Sequence, residues 1–471
     1  MRTRQRSLGR APASPGRRDR GRRVPIAEFV ASRSDRTARA DVASRFTSKG
    51  APVALLLGAL LAAFAGDAVA AGVRTVGTAP GDQPSIAVAL STAVDGDVVL
   101  VRSGTYGAFT VDGKGVSVVA DLGASVVVFG GVRVKNLAPG QLVLLSGLTV
   151  AAPGVDALVA QDNQGTLRVE STALQAYATS TFSLVSGAVL TNCVDVAFEH
   201  VSAQGGTAMQ SFATAGDGVR ATNSRLALVD CQIVGSAGAN GDSGSPAPGT
   251  SGGAGLRAFS GEIYATGCTF VGGAGGRGGV QSTGSGCAAQ VPLAGGDGGT
   301  GLAAEGSPLA TSVRVRDVAL HGGLGGTGGV TNCGVAAASG SSAPTNTGVL
   351  QLLTQPFRGV NASTVAREGT SATFTCTGVP GDRVVLFVST GPGWSWHAGL
   401  LAPVLIRNPF ERRVALGVVP PSGTLVSTLT IPELGPGVPV SLRHVQAWFA
   451  DTNGVAHLGG GGVLTLLDGA Y

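Results

Sequence analysis

The chain has 471 residues, of which 76 are glycine, 13% are charged and 5% are aromatic. It is too apolar to be disordered and too glycine-rich for a helical enzyme, so we expect short strands joined by many tight turns. The net charge of +5 comes from residues 1–50, which hold 14 of the 33 basic and four of the 28 acidic residues, leaving 19 basic against 24 acidic. The charge therefore gives no argument for nucleic-acid binding.

Residues 1–70 have the organisation of a basic leader and secretory signal peptide. A basic region precedes the 14-residue apolar run from Ala51 to Phe64, and Ala68-Val69-Ala70 matches an A-x-A cleavage site. We expect cleavage near Ala70 and a bacterial protein that is secreted or held at the cell surface. A membrane anchor is the alternative, but the run is shorter than the ~20 residues of a span. No second long apolar segment follows, so no membrane span is expected in the mature chain.

A repeat runs through residues 72 to 346. Its ten-residue template alternates apolar and variable positions, has a polar residue or glycine at the fifth position, and fits Leu167–Ala176. Further copies begin at Val196, Leu226, Ile263 and Val313, at spacings of 29, 30, 37 and 50 residues. Period-two alternation predicts strands, and such a unit must stack on its neighbours to bury its apolar face. A second short strand precedes most copies, so we expect a parallel solenoid with two strands and a turn per coil.

The longer spacings come from glycine-rich stretches at residues 235–255 and 272–301. We interpret these stretches as loops from one corner of the coil, either ordered and tightly turned or mobile. Cys287 lies in one loop and Cys333 in the equivalent loop of the next coil, and we predict a disulfide between them. Cys193, Cys231 and Cys268 are predicted to be unpaired core residues.

The start of the mature chain resembles a known superfamily. A short amphipathic helix beginning at Ile86 is followed by Gly96-Asp97, an apolar strand at Val98–Val101 and Gly104-Thr105-Tyr106. This order resembles the N-terminal cap and first coil of secreted right-handed parallel β-helix proteins, often called pectate-lyase-like. The resemblance implies an all-β, right-handed parallel β-helix over residues 71–346. It implies no particular activity, because that superfamily contains lyases, hydrolases, adhesins and inert surface proteins.

From residue 347 the glycine-rich texture stops. Alternating stretches such as Ala372–Thr377, Arg383–Val388 and Val445–Ala450 read as antiparallel strands between Pro/Gly turns, so residues 347–471 are predicted to form a small β-sandwich. Its texture resembles C-terminal domains of bacterial exported repeat proteins. Trp394 and Trp396 lie in this part and are interpreted either as a sugar-stacking platform or as packing residues.

Candidate ligand-binding residues come from stacking the copies. Arg220 and Arg257 fall at equivalent outward positions, where they could hold the carboxylates of an acidic glycan. The alternative is that both are surface residues paired with acids such as Glu262 and Glu305.

The fifth template position supplies two further candidates, His200 and Asp230, and the same position is Asp317 in a later copy. His200 is interpreted first as a turn residue. The sequence contains no closely spaced pair of aspartates in any coil and none of the local motifs of pectate lyases or polygalacturonases, so the catalytic residues are unknown. We expect no metal site and no cofactor, and calcium enters only if the protein is a lyase.

We therefore expect an exported or cell-surface protein that is non-catalytic, structural or adhesive, and monomeric. It would contact polysaccharide or cell-envelope components, and no nucleic acid. The alternative is a polysaccharide lyase or glycoside hydrolase acting on an acidic glycan.

Overall fold

The structure, a computed structural model, describes residues 71–177, 185–207, 215–241, 246–284, 286–306 and 311–471. The predicted signal peptide at residues 1–70 lies outside the described residues. The described chain is all-β, with 51% strand and 3% helix. None of its helices is long and apolar enough to cross a membrane.

Twenty-two strands form one continuous parallel sheet, which the chain passes through in three ladders that we call A, B and C. Ladder A contains Val73–Val76, Val98–Val101, Ser117–Ala120, Leu142–Ser146, Thr166–Glu170, Asp195–Glu199, the second halves of Val219–Val229 and Leu256–Thr266, Thr311–Arg316 and Leu350–Leu353. Ladder B contains the first halves of Gly104–Asp112 and Val126–Lys135, then Leu148–Pro153, Ala173–Tyr177, Ser202–Gln204, Gln232–Val234, Thr269–Val271 and Ala319–His321. Ladder C contains the second halves of Gly104–Asp112 and Val126–Lys135, Leu158–Gln161, Ala188–Thr191, the first halves of Val219–Val229 and Leu256–Thr266, Leu302–Glu305 and Asn346–Thr347.

Each coil of the chain visits ladder A, then B, then C, so it contains three strands and not the predicted two. The ten-residue template covers two of them: in its first copy, Thr166–Glu170 lies in ladder A and Ala173–Tyr177 in ladder B. The break between them is the polar fifth position, where the backbone turns a corner. This pairing is compatible with the predicted β-helix.

The corner between ladders A and B explains why the fifth template position is polar or glycine. Ser171, His200, Asp230 and Asp317 all have φ between 47° and 55° there. This left-handed region is costly for bulky side chains and more accessible to short polar residues and glycine. The residue type at the fifth template position is therefore set by the backbone conformation of the corner before any ligand is considered.

The corner between ladders C and A carries a second polar column that the template does not reveal. Asn136, Asp162, Asn192 and Asn223 also adopt positive φ. Their side chains bond from coil to coil: the Asn192 Nδ2 donates to Asp162 Oδ1 at 2.8 Å, and the Asn223 Nδ2 donates to Asn192 Oδ1 at 3.0 Å. Asparagine side chains donate hydrogen bonds to the side-chain oxygens of the asparagine or aspartate on the neighbouring coil, and both residue types tolerate this φ. The column therefore stabilises the corner.

The interior of the stacked coils is an apolar core in which like residues of successive coils form columns. Val219, Leu256 and Leu302 lie in register and are fully buried. Cys231 and Cys268 are neighbours in a second column, where the Cys231 N–H donates to Cys268 Sγ at 3.4 Å. The cysteines at 193, 231 and 268 are buried free thiols, as predicted, and so is the cysteine at 376.

The first coil is covered by the helix Ile86–Thr92, which confirms the predicted cap. Ser85 begins this helix, and its Oγ accepts a hydrogen bond from the Val88 N–H at 3.2 Å. Ile86 and Leu90 are buried against the first strands. An exposed first coil would leave core residues open, and the helix covers them. The first strand, Val73–Val76, also forms a bridge from Val76 to Gln83 on its outer side.

The glycine-rich stretches are ordered, as one of the two predicted alternatives has it, but they form a bundle of extended segments and not tight turns. In the last three coils the chain leaves ladder B, runs outward and returns to ladder C, over residues 235–241 and 246–254, 272–279 and 293–300, and 322–329 and 337–345. Backbone N–H groups donate sideways at every third residue, as Gly272, Gly275 and Gly278 do to the next coil. These glycines avoid the left-handed region. A three-residue period without internal hydrogen bonds is that of polyproline II helices, and we call this assembly the glycine bundle.

Glycine is required in the bundle because neighbouring segments lie in direct backbone contact. A Cβ atom on Gly276 would lie 1.8 Å from the Ala239 carbonyl oxygen. The same crowding requires glycine at every third position of collagen. Cys287 and Cys333 lie in the outer turns of the second and third insertions, with Cα atoms 5.9 Å apart and sulfur atoms at bonding distance, so the predicted pairing is confirmed.

The C-terminal part consists of separate sheets. A three-stranded antiparallel sheet contains Gly359–Ala362, Ser371–Thr377 and Thr424–Thr430. A five-stranded, mainly antiparallel sheet contains Val365–Arg367, Ala456–Leu467, Val440–Ala450, Arg383–Ser389 and Arg412–Val418. A small hairpin in this part pairs Pro392–His397 with Ala402–Ile406. A second small hairpin lies outside it, in the second glycine-rich insertion, where Val280–Ser282 pairs with Gln290–Pro292 beside the short 3-10 helix Cys287–Ala289.

The two C-terminal sheets share one core, which includes Phe374, Leu386 and Phe449. This packing is compatible with the predicted β-sandwich. Pairing with the parallel strands extends to Leu353, past the predicted boundary at residue 346.

The C-terminal sheets lie against the outer face of ladder A. Leu144 packs with Val463 and Leu467 near the first coils, and Tyr264 packs with Leu405 near the last coils. The C-terminal part therefore lies along the side of the coils, and one outward face of the parallel sheet is removed from solvent.

Candidate functional site

The predicted arginine pair lies in ladder C, but its charge is already neutralised. Arg220 and Arg257 are direct neighbours on adjacent strands. The carboxylate of Asp217, only 2% exposed, lies 3.1 Å from Nε of Arg220 and 3.0 Å from Nε of Arg257, and Arg257 also pairs with Glu305. Burial by itself would lower the pKa of Arg257, but the negative charges of Asp217 and Glu305 have the larger effect, so the pKa is raised. Glu262, the other acid expected here, pairs instead with arginines of ladder A and its corner.

The same outward column contains a third arginine that sequence reasoning missed. Arg133 lies in register with Val159, Val189 and Arg220 on successive strands. Arg133 is exposed. Among the described residues, no carboxylate oxygen lies within 4.0 Å of its guanidinium nitrogens, the limit for a salt bridge. The repeat template begins only at Leu167, so it did not extend to this coil. The apolar alternation of residues 132–135 was the available signal.

Arg133 borders an open groove of about 530 Å³ between the capping helix and the first coils. A volume of this size is within the usual range of small-ligand sites. The groove is lined by Ala87, Leu90, Ser91, Ala108, Phe109, Thr110, Asp112, Lys114, Gly131 and Arg133. We call it the cap groove.

The cap groove has a surplus of positive charge. Lys114 donates from Nζ to the carbonyl oxygens of Leu90 at 2.9 Å and Ala93 at 3.0 Å, where it holds the end of the capping helix. Asp112 is neutralised by Lys135 at 3.0 Å, and hydrogen bonds from Asn136 and Lys135 lower the pKa of Asp112. Lys114 is thus occupied by two carbonyl oxygens, and Arg133 is the exposed cation of the groove. Burial raises the pKa of Asp156, while a hydrogen bond from Ser186 and the charges of Arg220 and Arg133 lower it, so Arg133 also acts on this acid beyond salt-bridge distance.

His200 and Asp230 are brought together at the corner between ladders A and B. Nε2 of His200 lies 3.6 Å from Oδ2 of Asp230. Burial lowers the pKa of His200, and Asp230 opposes this effect. The corner requires positive φ from both residues, so their pairing follows from backbone geometry.

Trp394 and Trp396 lie between the C-terminal hairpin and ladder A. The Trp396 ring meets Tyr264 edge-on at 6.0 Å between centroids, and the Arg314 guanidinium lies 4.2 Å from its centroid. The Arg225 guanidinium lies 5.7 Å from the Trp394 centroid. Both indoles are half-buried, and their faces are used within the molecule.

A buried polar cluster lies where the C-terminal sheet covers ladder A, and sequence reasoning missed it. Glu170 and Glu199 are direct neighbours on adjacent strands, and Arg168 lies beside them. Arg168 is buried and pairs with Asp195 at 2.7 Å. The strand Val440–Ala450 places His444 on the other side. The available signal was the shared template position of the two glutamates, 29 residues apart.

The cluster raises the pKa values of its carboxyl groups and lowers that of its imidazole. Burial and the neighbouring Glu199 raise the pKa of Glu170 well above its usual range. Burial raises the pKa of Glu199 to about 7, opposed by Arg168. Burial, Arg168 and two further arginines lower the pKa of His444 to about 3. Desolvation thus favours the neutral forms of two carboxyls and an imidazole.

The space beside these groups is too small for a substrate. It offers about 10 Å³ to the centre of a water molecule, enough for roughly one ordered water. A Cβ on Gly461 would lie 3.2 Å from Oε1 of Glu199, so glycine in the covering strand leaves room for the carboxyl. The geometry is that of a junction between two packed surfaces.

No group of three or more His, Cys, Asp and Glu side chains in the described ranges is placed to hold a metal ion. No protein-family model matches the chain, and no curated protein matches it. Among solved structures, the superoxide reductase (neelaredoxin) from Ignicoccus hospitalis is similar over 24% of this chain and 80% of that chain, at 10% identity and a TM-score of 0.14. A similarity this weak carries no argument about fold or activity.

Proposed function

We propose that the chain is an exported or cell-surface protein with a right-handed parallel β-helix and a C-terminal β-sandwich. Its role is structural or adhesive and non-catalytic, and it holds acidic glycan of the cell envelope or surroundings in the cap groove. The observation that carries this proposal is the exposed Arg133, which forms no salt bridge with a described carboxylate, at the edge of a groove of about 530 Å³.

The chemistry of the groove fits a polyanionic sugar chain. A guanidinium donates paired hydrogen bonds to a carboxylate, and the apolar wall formed by Leu90 and Phe109 suits the faces of sugar rings. Arg220 and Arg257 do not offer this chemistry, because a glycan carboxylate would have to displace Asp217 or Glu305. The same structural column therefore contains one available and two occupied arginines.

The test is equilibrium binding of the mature chain, without residues 1–70, to polygalacturonate and to uncharged dextran. We expect binding to polygalacturonate that weakens as salt rises, and no binding to dextran. Arg133→Ala should weaken the binding about tenfold, from roughly 1.5 kcal/mol for a hydrogen bond to a charged group.

Arg220→Ala is the matched control, because it removes the same side chain from the same column at a position that Asp217 neutralises. Equal effects of Arg133→Ala and Arg220→Ala, or equal binding of dextran, would contradict the cap groove as the site. Release of unsaturated or new reducing ends during the incubation would favour the lyase or hydrolase alternative.

A further inference from the structure

The last coil ends in an uncovered strand edge. Leu350–Leu353 pairs on one side with Thr311–Arg316, and no strand of the described chain pairs with its other side. Apolar side chains on this coil face solvent: Val349 is 69%, Leu352 70% and Leu324 72% exposed. The first coil differs, because the capping helix covers it.

The edge strand Leu350–Leu353 contains neither a charged residue nor a proline. Residues 318–357 contain no Asp, Glu, Lys or Arg, and His321 is their single titratable side chain besides Cys333. Natural proteins usually protect an exposed edge with charges, proline or a covering element. A neutral edge meets its own copy without repulsion between like charges.

Neither end of the described part of the chain, which begins at residue 71, lies at the last coil. Residue 71 precedes the first strand, at the opposite end of ladder A. The carbonyl oxygen of Tyr471 accepts a hydrogen bond from Arg367, which pairs with Asp121 near the first coils. The C terminus is thus held far along the stack from Leu352.

We propose that two copies of this chain associate end to end through their last coils. The interface is two-fold symmetric, so the exposed edge of Leu350–Leu353 lies antiparallel to the same edge of the second copy, with Val349 and Leu352 buried between them. Because the capping helix covers the other end, association stops at a dimer and does not form a filament. This arrangement departs from the monomer expected from sequence and places the two cap grooves at opposite ends of one rod.

The test is the solution mass of the mature chain measured by light scattering and sedimentation over a dilution series. We expect twice the chain mass at high concentration, with dissociation on dilution, and slower amide exchange of Leu350–Leu353 in the concentrated sample. Leu352→Lys should raise the dimer Kd by at least about tenfold, since it places like charges at the symmetric edge.

Leu122→Lys is the matched control, because Leu122 is 67% exposed in a turn near the first coils. Val349→Lys is the second edge variant, to be used if Leu352→Lys does not fold. A monomer at every concentration would overturn the proposal and leave the edge to a different protein. A dimer that persists in both edge variants would also overturn it, because the contact would then lie elsewhere.

Discussion

The buried Glu199 makes stability depend on pH in a direction that can be measured. Its pKa is about 7 in the folded chain against 4.5 for the free side chain. Below pH 4.5 both states hold the proton and the stability is fully present. As pH rises towards 7, the unfolded state releases the proton first, so folding loses about 3 kcal/mol from this group.

Glu199→Gln removes this ionisation while keeping the shape of the side chain. We expect the variant to match the parent near pH 4.5 and to be more stable at pH 8 by up to about 3 kcal/mol. Urea unfolding from pH 4.5 to 8.5, followed by tryptophan fluorescence, measures the difference. All three tryptophans lie in the C-terminal part, so the signal reports on the part that covers this cluster.

Glu433→Gln is the control, because Glu433 is an exposed glutamate. A difference in stability between Glu199→Gln and the parent that stays constant from pH 4.5 to 8.5 would refute the assignment, because every other titrating group is common to both proteins. His444 acts in the opposite direction: its pKa is lowered to about 3, so stability should fall as pH drops below 6.5 in parent and variant alike.

Two further predictions concern the glycine bundle. Gly276→Ala should destabilise the chain by about 1–3 kcal/mol, because its Cβ would meet the Ala239 carbonyl oxygen, whereas Gly286→Ala has open space and should melt like the parent in a thermal scan. Cys287→Ser with Cys333→Ser should cost up to about 4 kcal/mol, from the 46-residue separation that the bond closes. Thiol titration of the unfolded parent should find four reactive cysteines before reduction and six after it, and six before reduction would contradict the pairing.

The strand pattern of this protein is determined locally. Side chains alternate in and out of a strand, so the period-two repeat around Leu167, Leu226 and Ile263 predicts both the strands and their inward columns. The capping helix at Ile86 follows from local signals as well. The Cys287–Cys333 pair was predictable because equivalent insertions of successive coils must lie side by side.

The glycine bundle could not be predicted with the same argument. Glycine is compatible with turns, mobile loops and close-packed extended helices, and only the neighbouring segment decides among them. The three-residue period at Gly272, Gly275 and Gly278 is present in the sequence, but its hydrogen-bond partners belong to the next coil.

The availability of each charged side chain was decided by the tertiary structure alone. Arg133, Arg220 and Arg257 occupy the same column and look alike in sequence, yet Asp217 reaches two of them and not the third. The pKa values of Glu170 and Glu199 are raised because another sheet covers them. Electrostatic interactions depend on distance and on exclusion of water, and both are set by residues that are far away in the chain. The sequence by itself therefore determined the strands and their columns, and the packing of coils and sheets decided which side chains remain available to bind.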